Sequence, residues 1–300
     1  MIKITDILLK INYKEFIGEL NTQITNIIQL DEKNKNSDVI FWCNDKNILK
    51  LNECLYGTVI CSSKTKDEIK LHSTCNYIIV ENPRLVFAQV IRDFFVDTEE
   101  QIEVSKNAII HPSVKIGSNV FIGDFTVIKK DCVIEDNVYI GYNNTIHQKT
   151  IIKKQVKIGS NNTIGGVGFG YEKNDDGNYE VLPHIGNVII DEFVEIGNNN
   201  CIDRAVIGST KIMKNVKIDN LVHIAHGVEI GENSLIIANA MIGGSTKIGK
   251  NVWVAPSASI INKVEIQDNA LIGMGAVVVK SVEESNVVAG NPAKFIKKIN

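Results

Sequence analysis

The chain is expected to be mainly β, a parallel β-solenoid preceded by a small α/β domain. Three observations predict it. From residue 110 an isoleucine returns every six residues, at Ile110, Ile116, Ile122, Ile128, Ile134, Ile140, Ile146, Ile152, Ile158 and Ile164. The position two before the marker is small or β-branched, as at Val114, Val120, Thr126, Cys132 and Val138. Turn-forming triplets, among them Gly117-Ser118-Asn119, Glu135-Asp136-Asn137, Gly159-Ser160-Asn161, Gly231-Glu232-Asn233 and Gln267-Asp268-Asn269, punctuate the register. A six-residue period matches neither a helix nor a single strand, but it suits flat faces joined by tight corners, with two inward side chains per face.

Residues 1–100 carry no such register. Ile4 to Ile17 has helical spacing, Asp38–Trp42 reads as a strand and Lys46–Leu55 as a helix. Thr58–Cys61 and Asn76–Val80 read as strands and Arg84–Phe95 as a helix. About 100 residues can hold a core of their own, so residues 1–100 are expected to form an independent α/β binding module. Residues 97–107 would link it to the solenoid, which occupies 101–282.

Within the solenoid the register resumes at Ile190, Ile196 and Ile202, then runs in a shifted frame from Ile212 to Val278. The 25 marked hexads, at three faces per coil, predict about eight coils. Two breaks interrupt them. The first is an inserted loop, 165–189, rich in glycine (Gly165, Gly166, Gly168, Gly170, Gly177); the second lies around Asp203-Arg204. Insertions in solenoids collect on one face and often mark the binding face. Residues 283–300 leave the register and are expected to fold back along the last coils as a C-terminal tail.

The formal net charge of −3 and the absence of a long basic run argue against nucleic acid, because neutralising phosphates needs clustered Lys and Arg. No apolar run reaches the roughly 18 residues of a membrane span, and no signal-peptide pattern opens the chain, so a cytoplasmic protein is expected. The six cysteines, without a C-x-x-C pair, read as core thiols, and no metal site is expected.

These hexads resemble those of the hexapeptide-repeat acyltransferases, a resemblance that implies a left-handed β-helix and a homotrimer. Residues 162–248, with Pro183-His184-Ile185-Gly186, Ile202-Asp203-Arg204 and Ile224-Ala225-His226-Gly227, narrow it to the family of UDP-3-O-acylglucosamine N-acyltransferases, enzymes of lipid A synthesis. Residues 39–44 and 82–88 resemble the nucleotide-binding domain of that family. The resemblance makes His226 the general base. A sugar amine attacking a thioester sheds a proton as the C–N bond forms, and imidazole is suited to take it near neutral pH. Asp219 or Asp203 would orient the base, although both residue types also cap corner amides. His223 is given only a surface role.

The resemblance also places Phe41 against a uracil ring and Asn44 on its polar edge, Phe41 being equally readable as strand core. Phe169 and His184, on the inserted loop, are candidate substrate contacts. Gly244 is a candidate for the backbone N–H groups that polarise the thioester carbonyl, while Lys263 and Lys294 are candidate donor contacts. Two departures favour a different substrate. Lys263 stands where the family has a second histidine, and Gly290-Asn291-Pro292-Ala293-Lys294 resembles the tails of coenzyme A-dependent sugar acetyltransferases.

The sequence is therefore expected to encode an N-acyltransferase that acts on a nucleotide-linked amino sugar for surface polysaccharides. Acyl-CoA is the expected co-substrate, and no cofactor is permanently bound. The alternative is the lipid A step with acyl carrier protein. A zinc-dependent carbonic anhydrase or a purely structural solenoid are rival classes on the same prism.

Overall fold

The computed structural model describes residues 2–31, 33–96 and 103–298. The chain divides into two compact units, Met1–Glu100 and Gln101–Asn300.

The first unit is built on a five-stranded sheet whose spatial order is Glu15–Ile17, Cys75–Ile79, Gly57–Cys61, Val39–Trp42 and Asn26–Ile27. All neighbours run parallel except the edge strand Glu15–Ile17. Gly57–Cys61 and Cys75–Ile79 are buried at every residue, as central parallel strands covered on both faces must be. Alternate residues of Val39–Trp42 feed two separate apolar clusters, Ile40 one and Val39 with Phe41 the other.

The helical spacing of Ile4 to Ile17 is only partly realised. The helix stops at Leu8, and Glu15–Ile17 becomes a strand because Phe16 pairs with Ile78 and Lys14 N–H reaches Ile79 O at 2.8 Å. Sheet pairing here overrides local periodicity. The helix expected over Lys46–Leu55 is confined to Ile48–Glu53. A further helix, Ser63–Glu68, has no apolar periodicity to betray it; it is capped by the Ser62 hydroxyl, which accepts the Thr65 N–H at 3.1 Å.

The second unit is a parallel β-helix. Its 25 wall strands, ten from Ile109–Ile110 to Thr163–Val167 and fifteen from Asn187–Ile190 to Val277–Val278, are shared among three sheets. Marker isoleucines stack on one another, Ile122 on Ile140 on Ile158, and Ile128 on Ile146 on Ile164. They form one continuous apolar core from Val120 to Val288. The corners lie in the left-handed region every six residues from Asn119 to Asn161, at φ between 55° and 64°. Asparagine tolerates this conformation, whereas Phe125, Phe193 and Leu221 adopt it at a cost of about 1–2 kcal/mol each. The coil-to-coil hydrogen bonds offset that cost, as Asn143 N–H to Asp124 O at 3.0 Å illustrates.

One sheet carries a buried polar ladder at the inward position two before the marker. Thr126, Asn144, Asn162 and Asn200 are all buried, and each side chain accepts the backbone N–H of the next rung. The last bond runs from Val222 N–H to Asn200 Oδ1 at 2.7 Å. This is the sheet that continues through His223–Ile224.

The insertion begins with a bulge at Gly165 (φ 81°), extends the wall strand to Val167 and leaves it as a hairpin of Tyr171–Lys173 and Tyr179–Val181. It rejoins at Asn187–Ile190. The second break lengthens Cys201–Arg204 and Ser209–Ile212, which pair with Thr163–Val167 and Asn187–Ile190. The two irregularities are therefore stacked on each other.

Val104 already bridges Ile122, so solenoid pairing starts inside the stretch read as linker, of which residues 97–102 lie outside the described residues. In the tail, Asn286–Ala289 adds to Leu271–Ile272 in parallel and Lys294–Lys298 returns antiparallel to it. No helix among the described residues is long and apolar enough to cross a membrane.

Candidate functional site

The wall strand His223–Ile224 turns its isoleucine into the core and releases Ala225-His226-Gly227 at the corner. The corner is held by backbone: Ser245 N–H reaches His226 O at 2.9 Å, and Gly227 N–H reaches Thr210 Oγ1 at 2.9 Å. Thr210 in turn donates its hydroxyl hydrogen to Asp203 O at 2.7 Å. His226 thus emerges beside a cavity of about 220 Å³ lined by Phe169, Asp203, His223, Ala225, His226, Gly244, Ser245, Asn262 and Lys263.

Two glycines allow the imidazole its position. A Cβ on Gly244 would lie 2.8 Å from His226 Nε2, and one on Gly168 would lie 3.1 Å from the His226 ring. Among the described residues, no acceptor meets the Gly244 N–H. The His184 ring packs against His226 edge to face, with centroids 5.3 Å apart and an interplanar angle of 79°. His184 Nδ1 lies 2.7 Å from Leu182 O; a carbonyl only accepts, so Nδ1 carries the hydrogen of this bond. The other ring nitrogen, Nε2, is buried and has no hydrogen-bond partner among the described residues.

Burial holds the His226 pKa below the usual histidine value, with His184 and Lys263 adding to the effect. The imidazole is therefore a neutral acceptor at neutral pH, as a general base must be. Asp203 is buried, and its carboxyl is pushed up by desolvation against the opposing pull of His223 and His184. His223 Nε2 faces Asp203 Oδ2 at 3.8 Å.

Of the residues singled out from sequence, His226, Phe169, Gly244 and Lys263 line this cavity, and His184 packs beside it. Asp219 does not. Its carboxylate accepts from Asn220 N–H at 2.7 Å, Asn220 Nδ2 at 2.9 Å and Ala238 N–H at 3.2 Å, which makes it a corner cap. The carboxylate in the cavity is Asp203.

Lys294 is also displaced from its expected role, because it lies on the exposed strand Lys294–Lys298 and does not line the cavity. Phe41 is fully buried in an apolar cluster, close under Gly57, with no face available to a base. Asn44 spends its side-chain oxygen on Lys46 N–H, at 3.0 Å, within a turn. His223, given only a surface role, faces the buried carboxylate; its spacing three residues before His226 was the available signal. Among the described residues, no group of three or more His, Cys, Asp or Glu is placed to hold a metal ion.

The signature described as "Bacterial transferase hexapeptide (six repeats)" matches residues 113–148, 209–244 and 245–280. The UDP-3-O-acylglucosamine N-acyltransferase of Campylobacter lari is 43% identical over 239 residues, covering 76% of this chain and 73% of that protein. The UDP-3-O-acylglucosamine N-acyltransferase 1 of Francisella tularensis subsp. holarctica is 36% identical over 230 residues, covering 70% of this chain and 66% of its own length. Among solved structures, the UDP-N-acetylglucosamine acyltransferases of Francisella novicida (TM-score 0.61, 24% identity, 65% of this chain and 70% of that one) and Campylobacter jejuni (0.59, 21%, 65% and 75%) share the left-handed β-helix.

The relatives overturn the coenzyme A-dependent surface-polysaccharide enzyme expected from Lys263 and the tail, since both carry the name of the enzyme that acylates UDP-3-O-acylglucosamine. Lys263 sits in the cavity beside His226 and Gly244, where a cation is compatible with that activity, and the tail motif lies on an exposed strand pair. Neither departure moves the chain out of the family. The repeat signature, together with 43% identity over 76% of this chain and 73% of the Campylobacter lari protein, makes this chain a member of the UDP-3-O-acylglucosamine N-acyltransferase family of hexapeptide-repeat acyltransferases.

Proposed function

We propose that this protein transfers an acyl group from an acyl carrier protein thioester to the amine of a UDP-linked 3-O-acylglucosamine, in the cytoplasm and as a homotrimer. The observation that carries the reading is the juxtaposition of His226, a neutral buried-edge imidazole, with the unengaged Gly244 N–H in one cavity. The sugar nitrogen attacks the thioester carbonyl carbon, and His226 Nε2 takes the proton that nitrogen loses. The carbonyl oxygen, now an oxyanion, is met by Gly244 N–H with Lys263 as the nearby positive charge. The tetrahedral intermediate collapses, the C–S bond breaks, and the thiolate leaves with the proton from His226. Asp203 and His223 also line the cavity, as does Phe169, which serves as a substrate contact.

The test is a matrix of acyl carrier protein and acyl-CoA donors against UDP-3-O-acylglucosamine and unacylated UDP-amino sugars, read by mass spectrometry. Amide formation on UDP-3-O-acylglucosamine from the carrier protein donor is expected. His226→Ala should lower turnover by roughly 10²- to 10⁴-fold with far-ultraviolet circular dichroism unchanged. Acylation of the other sugars at equal efficiency, or full activity in His226→Ala, would overturn the reading.

A further inference from the structure

Several lysines of the β-helix are stacked against carboxylates one coil away. Lys153 pairs with Asp191, Lys211 with Glu229, Lys217 with Glu195, Lys247 with Glu265 and Lys250 with Glu232. Lys129 and Arg204 are arranged differently. Neither takes part in an ion pair among the described residues. Both instead converge on one nitrogen, His147 Nδ1, from Lys129 Nζ at 3.3 Å and Arg204 Nη2 at 3.4 Å.

Arg204 is only 4% exposed, and its other acceptor is Gly166 O, a neutral group at 3.4 Å. A guanidinium removed from water with no anion beside it carries an unrepaid desolvation cost. The chain tolerates that cost on the sheet that carries the reactive corner: Cys201–Arg204 is hydrogen-bonded to His223–Ile224, and Thr163–Val167, Thr145–Ile146 and Val127–Ile128 follow in that order. At ~4.8 Å per strand, His147 stands about 14 Å along the wall from the coil of His226.

We propose that Lys129, His147 and Arg204 form a phosphoryl-binding site, occupied by a phosphate group of one of the two co-substrates. This rests on the acyl-transfer reading above, in which both co-substrates carry phosphate: a diphosphate beside the sugar, and a phosphate at the far end of a pantetheine arm. The geometry suits that chemistry. The two cations are at most 6.7 Å apart, from 3.3 + 3.4 Å through the shared nitrogen. Two charge-assisted hydrogen bonds of about 2.8 Å and the width of one phosphoryl group cover that span. Burial and the two cations hold the His147 pKa near 4, so its nitrogen arrives neutral. An anion bridging Lys129 and Arg204 removes the two repulsions and lets His147 take a proton and become a third donor.

The experiment titrates full-length protein with inorganic pyrophosphate, with UDP, and with 4′-phosphopantetheine, reading the His147 ring resonances by NMR and affinity by calorimetry. Pyrophosphate is expected to move the His147 signals toward the protonated position. UDP doing the same places the sugar nucleotide there, and 4′-phosphopantetheine doing so places the donor arm. Lys129 is exposed, so Lys129→Gln keeps the fold testable where Arg204 variants risk losing it. It should weaken the binding probe by roughly tenfold and raise KM for the corresponding co-substrate more than it lowers kcat. The proposal is overturned if no probe perturbs His147, or if Lys129→Gln binds all three as tightly as the parent protein. Parent protein that binds pyrophosphate at His147 yet acylates no sugar nucleotide supports the site and sinks only the acyl-transfer reading.

Discussion

His184 and His226 meet edge to face, 5.3 Å between ring centroids, although one belongs to the inserted loop and the other to the solenoid wall. The loop is thus clamped onto the imidazole that is proposed to take the proton. His184 is fixed in turn by its Nδ1–H bond to Leu182 O, so the contact is rigid on both sides. His184→Ala should therefore lower kcat on the order of ten- to a hundredfold through misorientation of His226. Steady-state kinetics at saturating substrate check it, and a variant with parental kcat would show that the clamp is irrelevant to the chemistry.

The pH dependence should report the environment of His226. Its pKa is depressed by burial, by His184 and by Lys263, so the base stays neutral to lower pH than a free histidine does. The acid limb of kcat/KM is expected to have its midpoint below the ordinary value of 6.5. Lys263→Ala removes one positive neighbour and should move that limb upward. An acid limb above 6.5 in the parent protein would contradict the assignment of the base.

His147 makes a separate prediction about stability. Its pKa falls from 6.5 in the unfolded chain to about 4 in the fold. Between those values the unfolded chain binds the proton and the folded one does not, so stability rises with pH across this window. The contribution is fully present above pH 6.5 and is lost as pH falls toward 4. Urea unfolding in phosphate-free buffer should show that slope for the parent protein and a flatter one for His147→Gln. Equal slopes would remove His147 as its source.

Phe41 is buried in the N-terminal sheet with Val39, Val59, Tyr77 and Ile79, so truncation leaves a cavity. Phe41→Ala should destabilise that unit by about 3–5 kcal/mol. Differential scanning calorimetry checks it. A stable Phe41→Ala protein with selectively weakened nucleotide binding would instead restore the stacking role expected from sequence.

Some of this molecule was legible along the chain and some was not, for a reason visible in particular residues. Each solenoid face is six residues long, so local chemistry alone specifies it. Ile122, Ile128 and Ile134 had to point inward, and Asn119, Asn137, Asn161, Asn233 and Asn269 had to take the corner conformation, as they do. Which side chains meet across coils is a different matter. Ordinary neighbours are 18 residues apart, as Asn144 and Asn162 are, but the two irregularities change that separation to 38 between Asn162 and Asn200 and to 22 between Asn200 and Val222.

Those altered spacings bring Asp203 rather than Asp219 into the cavity, carry Phe169 to its edge and His184 against His226, and set Arg204 beside His147. Register within one face is a property of consecutive residues, so the sequence by itself determined the solenoid and its corners. The site is assembled from coils that touch only after the chain has wound past its insertions. Only the tertiary structure decided its membership, because burial and through-space distance, not position in the chain, set which groups share a cavity.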